Sequence, residues 1–89
     1  MAVRLQDHVS VTKVEGGSVI LDERSGRYWQ INSSAGTALD ALLGGGDAEA
    51  AAEALVRRYE VDSAQARADV KALLSALRSA SLVEERTEA

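Results

Sequence analysis

The sequence predicts a small α+β domain in which a three-stranded antiparallel sheet is followed by three helices. In the first third of the chain, apolar and β-branched residues lie in short runs between glycine-containing turns, as is typical of strands. In the rest, apolar residues recur at helical spacing after capping residues. The 89 residues have room for one domain, which we place at residues 1–83. We expect residues 84–89, which are charged and without periodicity, to form a flexible tail.

The three predicted strands form a meander. Val9 and Val11 alternate with hydroxyl residues, and a turn at residues 15–18 leads into the β-rich run at residues 19–21. A polar turn follows, and Arg27 to Ile31 forms the third strand. Because three strands cannot stand alone, the helices must cover one face of this sheet.

The three helices follow from their caps and apolar positions. The predicted N-caps are, in chain order, Asn32 or Ser33, Asp47 and Asp62. Gln65, three residues after the last of these, completes the pattern of a capping box. The glycines at residues 44–46 are expected to end the first helix, because glycine adopts the left-handed conformation found at helix C-termini.

Composition excludes several classes of function. Cysteine is absent, which removes thiolate metal sites and thiol catalysis and, in so small a protein, predicts a reducing compartment, the cytoplasm. No apolar run reaches the roughly 20 residues of a membrane helix, so no membrane association is expected. A net charge of −4 argues against nucleic acid as the partner. His8 is the single histidine and makes neither a metal site nor a triad, and the glycines at residues 44–46 lack the Lys-Ser or Lys-Thr of a phosphate-binding loop. Adjacent carboxylates occur only in turn and tail settings, so we predict no metal, no cofactor and no enzymatic activity.

The third strand carries the strongest indication of binding. Tyr28 and Trp29 are adjacent in sequence, so in an extended segment they point to opposite faces of the sheet, and at least one lies off the core face. An aromatic side chain left near a sheet edge indicates a docking surface.

A series of short motifs runs along most of the chain in a fixed order. It comprises Leu21-Asp22, Gly26, Tyr28-Trp29-Gln30-Ile31-Asn32, Ser34-Ala35-Gly36, Leu42-Leu43-Gly44-Gly45, Leu55, Tyr59-Glu60-Val61-Asp62, Asp69-Val70, Leu73-Leu74, Leu77 and Leu82-Val83. This series resembles the PqqD family and, more closely, the stand-alone B1 proteins of lasso-peptide gene clusters. Members of that family are RiPP recognition elements with a winged helix-turn-helix fold, which hold the leader of a ribosomally made precursor peptide. The resemblance therefore implies a binding protein without catalysis.

The resemblance implies that the leader contacts the third strand and the third helix, and physical chemistry makes this plausible. Unpaired N–H and C=O groups on an edge strand form a template for an added strand, and a groove against the helix selects side chains. The candidate peptide-binding residues are Arg27, Tyr28, Trp29, Gln30 and Ile31 on the strand, and Asp69, Val70, Leu73, Leu74 and Leu77 on the helix. Regular apolar spacing is typical of any core, so a purely structural role is the stronger alternative for Ile31, Leu73 and Leu77. A structural role also stays open for Trp29 as core packing, for Tyr28 as cover of the outer sheet face and for Asp69 as a solvated or helix-pairing charge.

The leading functional hypothesis is a module that binds a lasso-type leader and presents it to a separate leader peptidase and, directly or through it, to a cyclase. A related alternative is a PqqD-like peptide chaperone for a radical SAM enzyme. A different class, a winged-helix DNA-binding protein, would use the third helix. The cations of that helix, Arg67, Lys71 and Arg78, are offset by Asp62 and Asp69, which disfavours it.

Overall fold

The computed structural model describes residues 2–86. Within this range the chain forms five strands and three helices, which confirms the α+β class. In chain order these are β1 (Ala2–Leu5), β2 (Val9–Val14), β3 (Gly17–Asp22), β4 (Tyr28–Asn32), α1 (Ser33–Leu43), α2 (Ala48–Arg58), α3 (Ser63–Ser79) and β5 (Val83–Arg86).

The strands form two antiparallel sheets, and the prediction of one three-stranded sheet is incomplete. The predicted meander is present as the sheet β2-β3-β4, whereas β1 and β5 pair with each other in a second sheet. Residues 84–86, expected in a flexible tail, thus belong to a strand. Residues 87–89 of that predicted tail lie outside the described residues. The short β5 has one apolar residue, Val83, so its sequence carries little strand periodicity.

The meander places its two faces in different environments. A two-residue turn at Glu15 and Gly16 joins β2 to β3, and Gly16 has a φ of 81° there. Ile20 pairs with Trp29 across β3 and β4, and this face packs against the helices. The alternate pair, Leu21 and Tyr28, is exposed on the outer face.

The predicted helix caps are confirmed, with one difference in detail. The side chains of Asn32, Asp47 and Asp62 each accept a backbone N–H three residues later. The reciprocal half of the capping box is missing, because Gln65 Nε2 donates to Asp69 Oδ1 at 2.8 Å and is turned away from the start of the helix. Gly45 takes the left-handed conformation after α1, with a φ of 99°.

The core lies between the inner face of the meander and the three helices. Its most buried large side chains come from β3, α1, α3 and the link between α3 and β5: Ile20, Leu39, Leu42, Val70 and Leu82. Across residues 2–86, no helix has both the length and the apolarity needed to cross a membrane.

Candidate peptide-binding site at the edge of β4

Strand β4 is an edge of the meander. Among the described residues its only strand partner is β3, and it packs on α1 at its end. The Asp22 N–H donates to the Arg27 carbonyl at 2.9 Å, so these two residues form a hydrogen-bonded pair between β3 and β4. Such pairs occur at every second residue of an antiparallel ladder. The backbone groups of Trp29 and Ile31 therefore point toward β3. The N–H and C=O groups of Tyr28 and Gln30 therefore point out of the sheet, where an added strand would pair.

The side chains of β4 divide between its two faces as the sequence predicts. Trp29 and Ile31 are half-buried and pack against the core on the helical side. Tyr28, which is 66% exposed, and Gln30 lie on the outer face. The Arg27 guanidinium lies 5.4 Å from the centre of the Trp29 ring, close enough for a cation–π interaction that orients the indole.

A cleft of about 380 Å³ lies between the start of α1 and α3, next to the end of β4. Its floor is apolar, with Ala38 and Leu55, and its α3 wall contains Asp69, Ala72 and Leu73. The opposite wall is formed by Asn32, Ser34 and Ala35. The cleft is wide enough for one or two side chains and places them beside the open edge of β4.

The five candidate residues on α3 separate into two groups. Asp69 and Leu73 line the cleft. Val70, Leu74 and Leu77 are only 1%, 4% and 3% exposed, so in this structure they support the wall from within the core and provide little surface to a ligand. The structural alternative considered for Leu77 therefore agrees with its burial. Leu73 is half-buried, so it packs on the core and also lines the cleft.

Polar groups at the mouth of the cleft have defined partners. Asn32 Oδ1 accepts hydrogen bonds from the Ala35 N–H at 2.9 Å and from the Ser34 hydroxyl at 3.0 Å. Asp69 is exposed and receives one hydrogen bond, from Gln65, at its Oδ1 atom. A carboxylate has about four lone-pair sites, so Asp69 retains capacity to accept from a donor on a ligand.

Six residues of the cleft are absent from the candidates derived from sequence: Asn32, Ser34, Ala35, Ala38, Leu55 and Ala72. A signal for Ala72 was available, since it follows Asp69 by three positions and shares its helical face. The α1 residues gave no such signal, because their position beside α3 depends on how the two helices pack.

The turn that leads into β4 is held by Asp22. Its Oδ1 atom accepts the Arg24 N–H at 2.9 Å and the Ser25 N–H at 3.3 Å. Although partial burial raises the pKa of this carboxyl, hydrogen bonds from Arg24 and Ser25 outweigh it and leave the pKa below its usual value. The Asp22 carboxylate that holds the turn is therefore ionised at neutral pH.

Within residues 2–86, no group of three or more His, Cys, Asp or Glu side chains is arranged to hold a metal ion.

Comparisons with known proteins identify similar sequences and folds. The model of the PqqD family, described as coenzyme PQQ synthesis protein D, matches residues 17–83. The chain is similar to a solved structure of a lasso peptide synthetase B1 complexed with the leader peptide, at 34% identity and a TM-score of 0.87, with 96% of this chain and 100% of that one covered.

A second solved structure, TbiB1 in complex with the TbiA(beta) leader peptide, has the same fold. It is 22% identical to this chain with a TM-score of 0.82, and the alignment covers 96% of this chain and 99% of that one. At this identity the likeness shows the fold alone. No curated protein sequence matches the chain significantly.

Proposed function

The chain belongs to the PqqD family, and from that premise we propose that it binds the leader of a lasso-type precursor peptide as an added strand on β4. The observation that carries the proposal is the open edge of β4 beside the cleft against α3. A similar protein, 34% identical over nearly the whole chain, has been solved with a leader peptide. The role is one of binding, and bond cleavage belongs to the enzymes that receive the peptide.

The edge supplies affinity and the cleft supplies selectivity. A guest strand would hydrogen-bond to the outward backbone groups of Tyr28 and Gln30, and every second guest side chain would then face the helical side of the sheet. There it would meet Trp29 and Ile31 and, at the cleft, Leu73. Each guest side chain buried contributes about 1.5–3 kcal/mol, against about 2–5 kcal/mol for ordering the peptide. Two or three anchoring side chains therefore leave at most about 7 kcal/mol, so the backbone hydrogen bonds to β4 have to supply the remainder of the roughly 8 kcal/mol that micromolar binding requires.

The proposed partners after the leader are a separate leader peptidase and a lasso cyclase. A leader held as a strand on β4 is extended and fixed in direction, so the segment that follows it leaves the domain at a defined point. This presentation raises the local concentration of the cleavage site at an enzyme that also contacts this domain.

Two other functions rank lower. A peptide chaperone for a radical SAM enzyme would use the same β4 edge, and the full-length similarity to a lasso B1 protein favours the lasso pathway over it. A winged helix-turn-helix protein that bound DNA would place α3 in the major groove. Two of its three cations are paired with carboxylates, Arg67 with Glu49 and Arg78 with Glu85, which reduces the positive charge available to phosphates.

The direct test is a fluorescence-polarisation titration of this protein with a labelled synthetic leader from the adjacent precursor gene. We expect saturable binding, and we expect Trp29→Ala to weaken it by tenfold or more, because truncation of an aromatic anchor at the centre of an interface typically has an effect of this size. Tyr28→Ala removes an aromatic side chain from the opposite face of the same strand, so it should lower leader affinity less than Trp29→Ala does.

Because Trp29 also packs on the core, melting temperatures of both variants are measured alongside the titration. Binding is compared at a temperature at which each variant is fully folded. Unchanged leader affinity in folded Trp29→Ala would exclude the helical face of β4 as the binding surface, and no binding of the leader by the wild-type protein would refute the function.

A further inference from the structure

We call the cleft between α1 and α3, with Asp69, Ala72 and Leu73 on its α3 wall, the leader cleft. The opposite side of α3 carries a second surface. Two residues along an α-helix turn it by about 200°, so Lys71 lies nearly opposite Asp69, and Leu74 nearly opposite Ala72. Two adjoining clefts run between α2 and α3 on that side, with volumes of about 330 and 360 Å³, and both are lined by Glu49 and Arg67. We call this surface the α2–α3 face.

The α2–α3 face combines an apolar floor with a cationic rim. Its floor includes Ala48, Ala52 and the edge of Leu74, together with Val56, which is 38% exposed. The rim carries four of the chain's ten basic residues: Arg57, Arg67, Lys71 and Arg78. Two acidic side chains, Glu49 and Glu53, share the lining, so the face is positive although the chain as a whole has a charge of −4.

The four cations are not equally engaged. Arg67 Nε bonds to Glu49 at 3.1 Å, and Arg78 makes two bonds to Glu85, at 2.7 and 3.0 Å. Within the described residues, Arg57 and Lys71 form no ion pair. These two charges therefore remain available to a ligand.

From this distribution we infer that the α2–α3 face docks an acidic, amphipathic segment of the leader peptidase. The inference rests on the proposed function. Apolar residues of such a segment would cover Val56 and Ala48, and its carboxylates would meet Arg57 and Lys71. Because this face and the leader cleft lie on opposite sides of α3, peptidase and leader bind at the same time without competing, as presentation of a substrate to an enzyme requires.

The chain offers a matched pair of variants for the test. Arg57 and Arg58 both lie in the last turn of α2, so reversing either charge has the same unfavourable interaction with the helix dipole. Arg57 lines the α2–α3 face, whereas Arg58 lines a cleft on the other side, next to Tyr59. Arg57→Glu is therefore the test variant and Arg58→Glu its control, with Lys71→Glu as a second test variant on α3.

The measurement is the affinity of the leader-loaded protein for the purified leader peptidase of the same biosynthetic system, by biolayer interferometry. We expect Arg57→Glu and Lys71→Glu each to weaken it by about tenfold, mainly through slower association, and Arg58→Glu to change it less than twofold. The difference in peptidase affinity between the wild-type protein and the two test variants should shrink as salt rises from about 0.05 to 0.5 M, because exposed charges are screened. Leader affinity, measured separately by fluorescence polarisation, should be the same in all variants.

The outcomes are distinguishable. If all variants bind leader and peptidase like the wild-type protein, the docking face is wrong and the proposed function stands. If the wild-type protein binds no leader, the proposed function itself fails. Two further results would overturn the inference. Tight duplex-DNA binding at low salt that Lys71→Glu abolishes would assign the face to nucleic acid. Variants that impair binding of the cyclase but leave binding of the peptidase unaffected would assign it to the cyclase.

Discussion

Ser81 ends α3 in a conformation that its side chain disfavours. Its φ is 58°, in the left-handed region, and it is the single residue other than glycine with positive φ among those described. The Leu82 N–H donates to the Leu77 carbonyl at 3.0 Å and the Ser81 N–H to the Arg78 carbonyl at 3.0 Å, the pattern of a Schellman motif. The motif directs the chain toward β5 and places Leu82, which is buried, in the core. The strain at Ser81 is thus compensated by burial of its neighbour.

Ser81→Gly is expected to raise the free energy of unfolding by about 1 kcal/mol, because glycine has no Cβ to clash in the left-handed conformation. The measurement is chemical denaturation monitored by circular dichroism. Ser79→Gly, in the last turn of α3, is the control and should lower stability by about 0.5–1 kcal/mol. A loss of stability in Ser81→Gly would show that the serine side chain makes a contribution larger than the backbone strain.

At the scale of the secondary-structure elements, the meander has two open edges with different surroundings. The backbone groups of Ser18 and Ile20 hydrogen-bond to β4, so those of the alternate residues of β3 hydrogen-bond to β2. In the register of β2 with β3, the backbone groups of Val11 and Lys13 then point out of the sheet. The β2 edge thus resembles the β4 edge in hydrogen bonding. A cleft of about 190 Å³ lined by Lys13 and Val14 lies beside β2, but Trp29 and the larger cleft against α3 lie beside β4.

Proline substitutions separate backbone pairing from side-chain contact. Gln30→Pro removes an N–H that points out of the sheet, so the ladder to β3 is retained while a guest strand loses a donor and meets the proline ring. We expect leader affinity to fall about tenfold or more. Lys13→Pro makes the same change at the β2 edge and should leave leader affinity unchanged. Equal loss in both variants would mean that the proline acts through the fold, and no loss in Gln30→Pro would exclude strand addition at β4.

At the scale of the whole molecule, β1 and β5 join the two ends of the described chain. Val3 and Val83 are buried, at 4% and 6% exposure. Arg4 pairs with Glu84 across the two strands, with Nε and Oε1 2.8 Å apart. Because β5 directly follows α3 and β1 contacts α1, this small sheet holds together the two helices that line the cleft beside β4.

A chain that ends at Val83 is therefore expected to be less stable than one that ends at Arg86. The two truncated chains differ by residues 84–86, which supply most of the pairing of β5 with β1. Loss of these backbone hydrogen bonds, at about 0.5–1.5 kcal/mol each, predicts a melting temperature lower by several degrees. Differential scanning calorimetry of both chains measures this effect. Equal melting temperatures would show that the β1–β5 sheet adds no stability.

How much of the structure could be predicted varied with the range of the interactions involved. The caps at Asp47 and Asp62 and the alternation along β4 were predicted, because each depends on residues within a few positions of one another. The β1–β5 sheet was not, since Arg4 and Glu84 are 80 positions apart and neither strand has a clear pattern of its own. On α3, spacing identified an apolar face, but it did not distinguish the core residue Val70 from the cleft residue Leu73.

The sequence by itself determined the local structure: helices, caps, turns and the placement of Trp29 and Tyr28 on opposite faces of one strand. Those features follow from the geometry of the backbone and from neighbouring side chains. Only the tertiary structure decided that, among the described strands, β4 pairs with β3 alone, that the start of α1 and α3 form the two walls of a cleft, and that residues 84–86 close a second sheet. These depend on which distant surfaces exclude water together, and burial of that kind is a property of the whole packed chain.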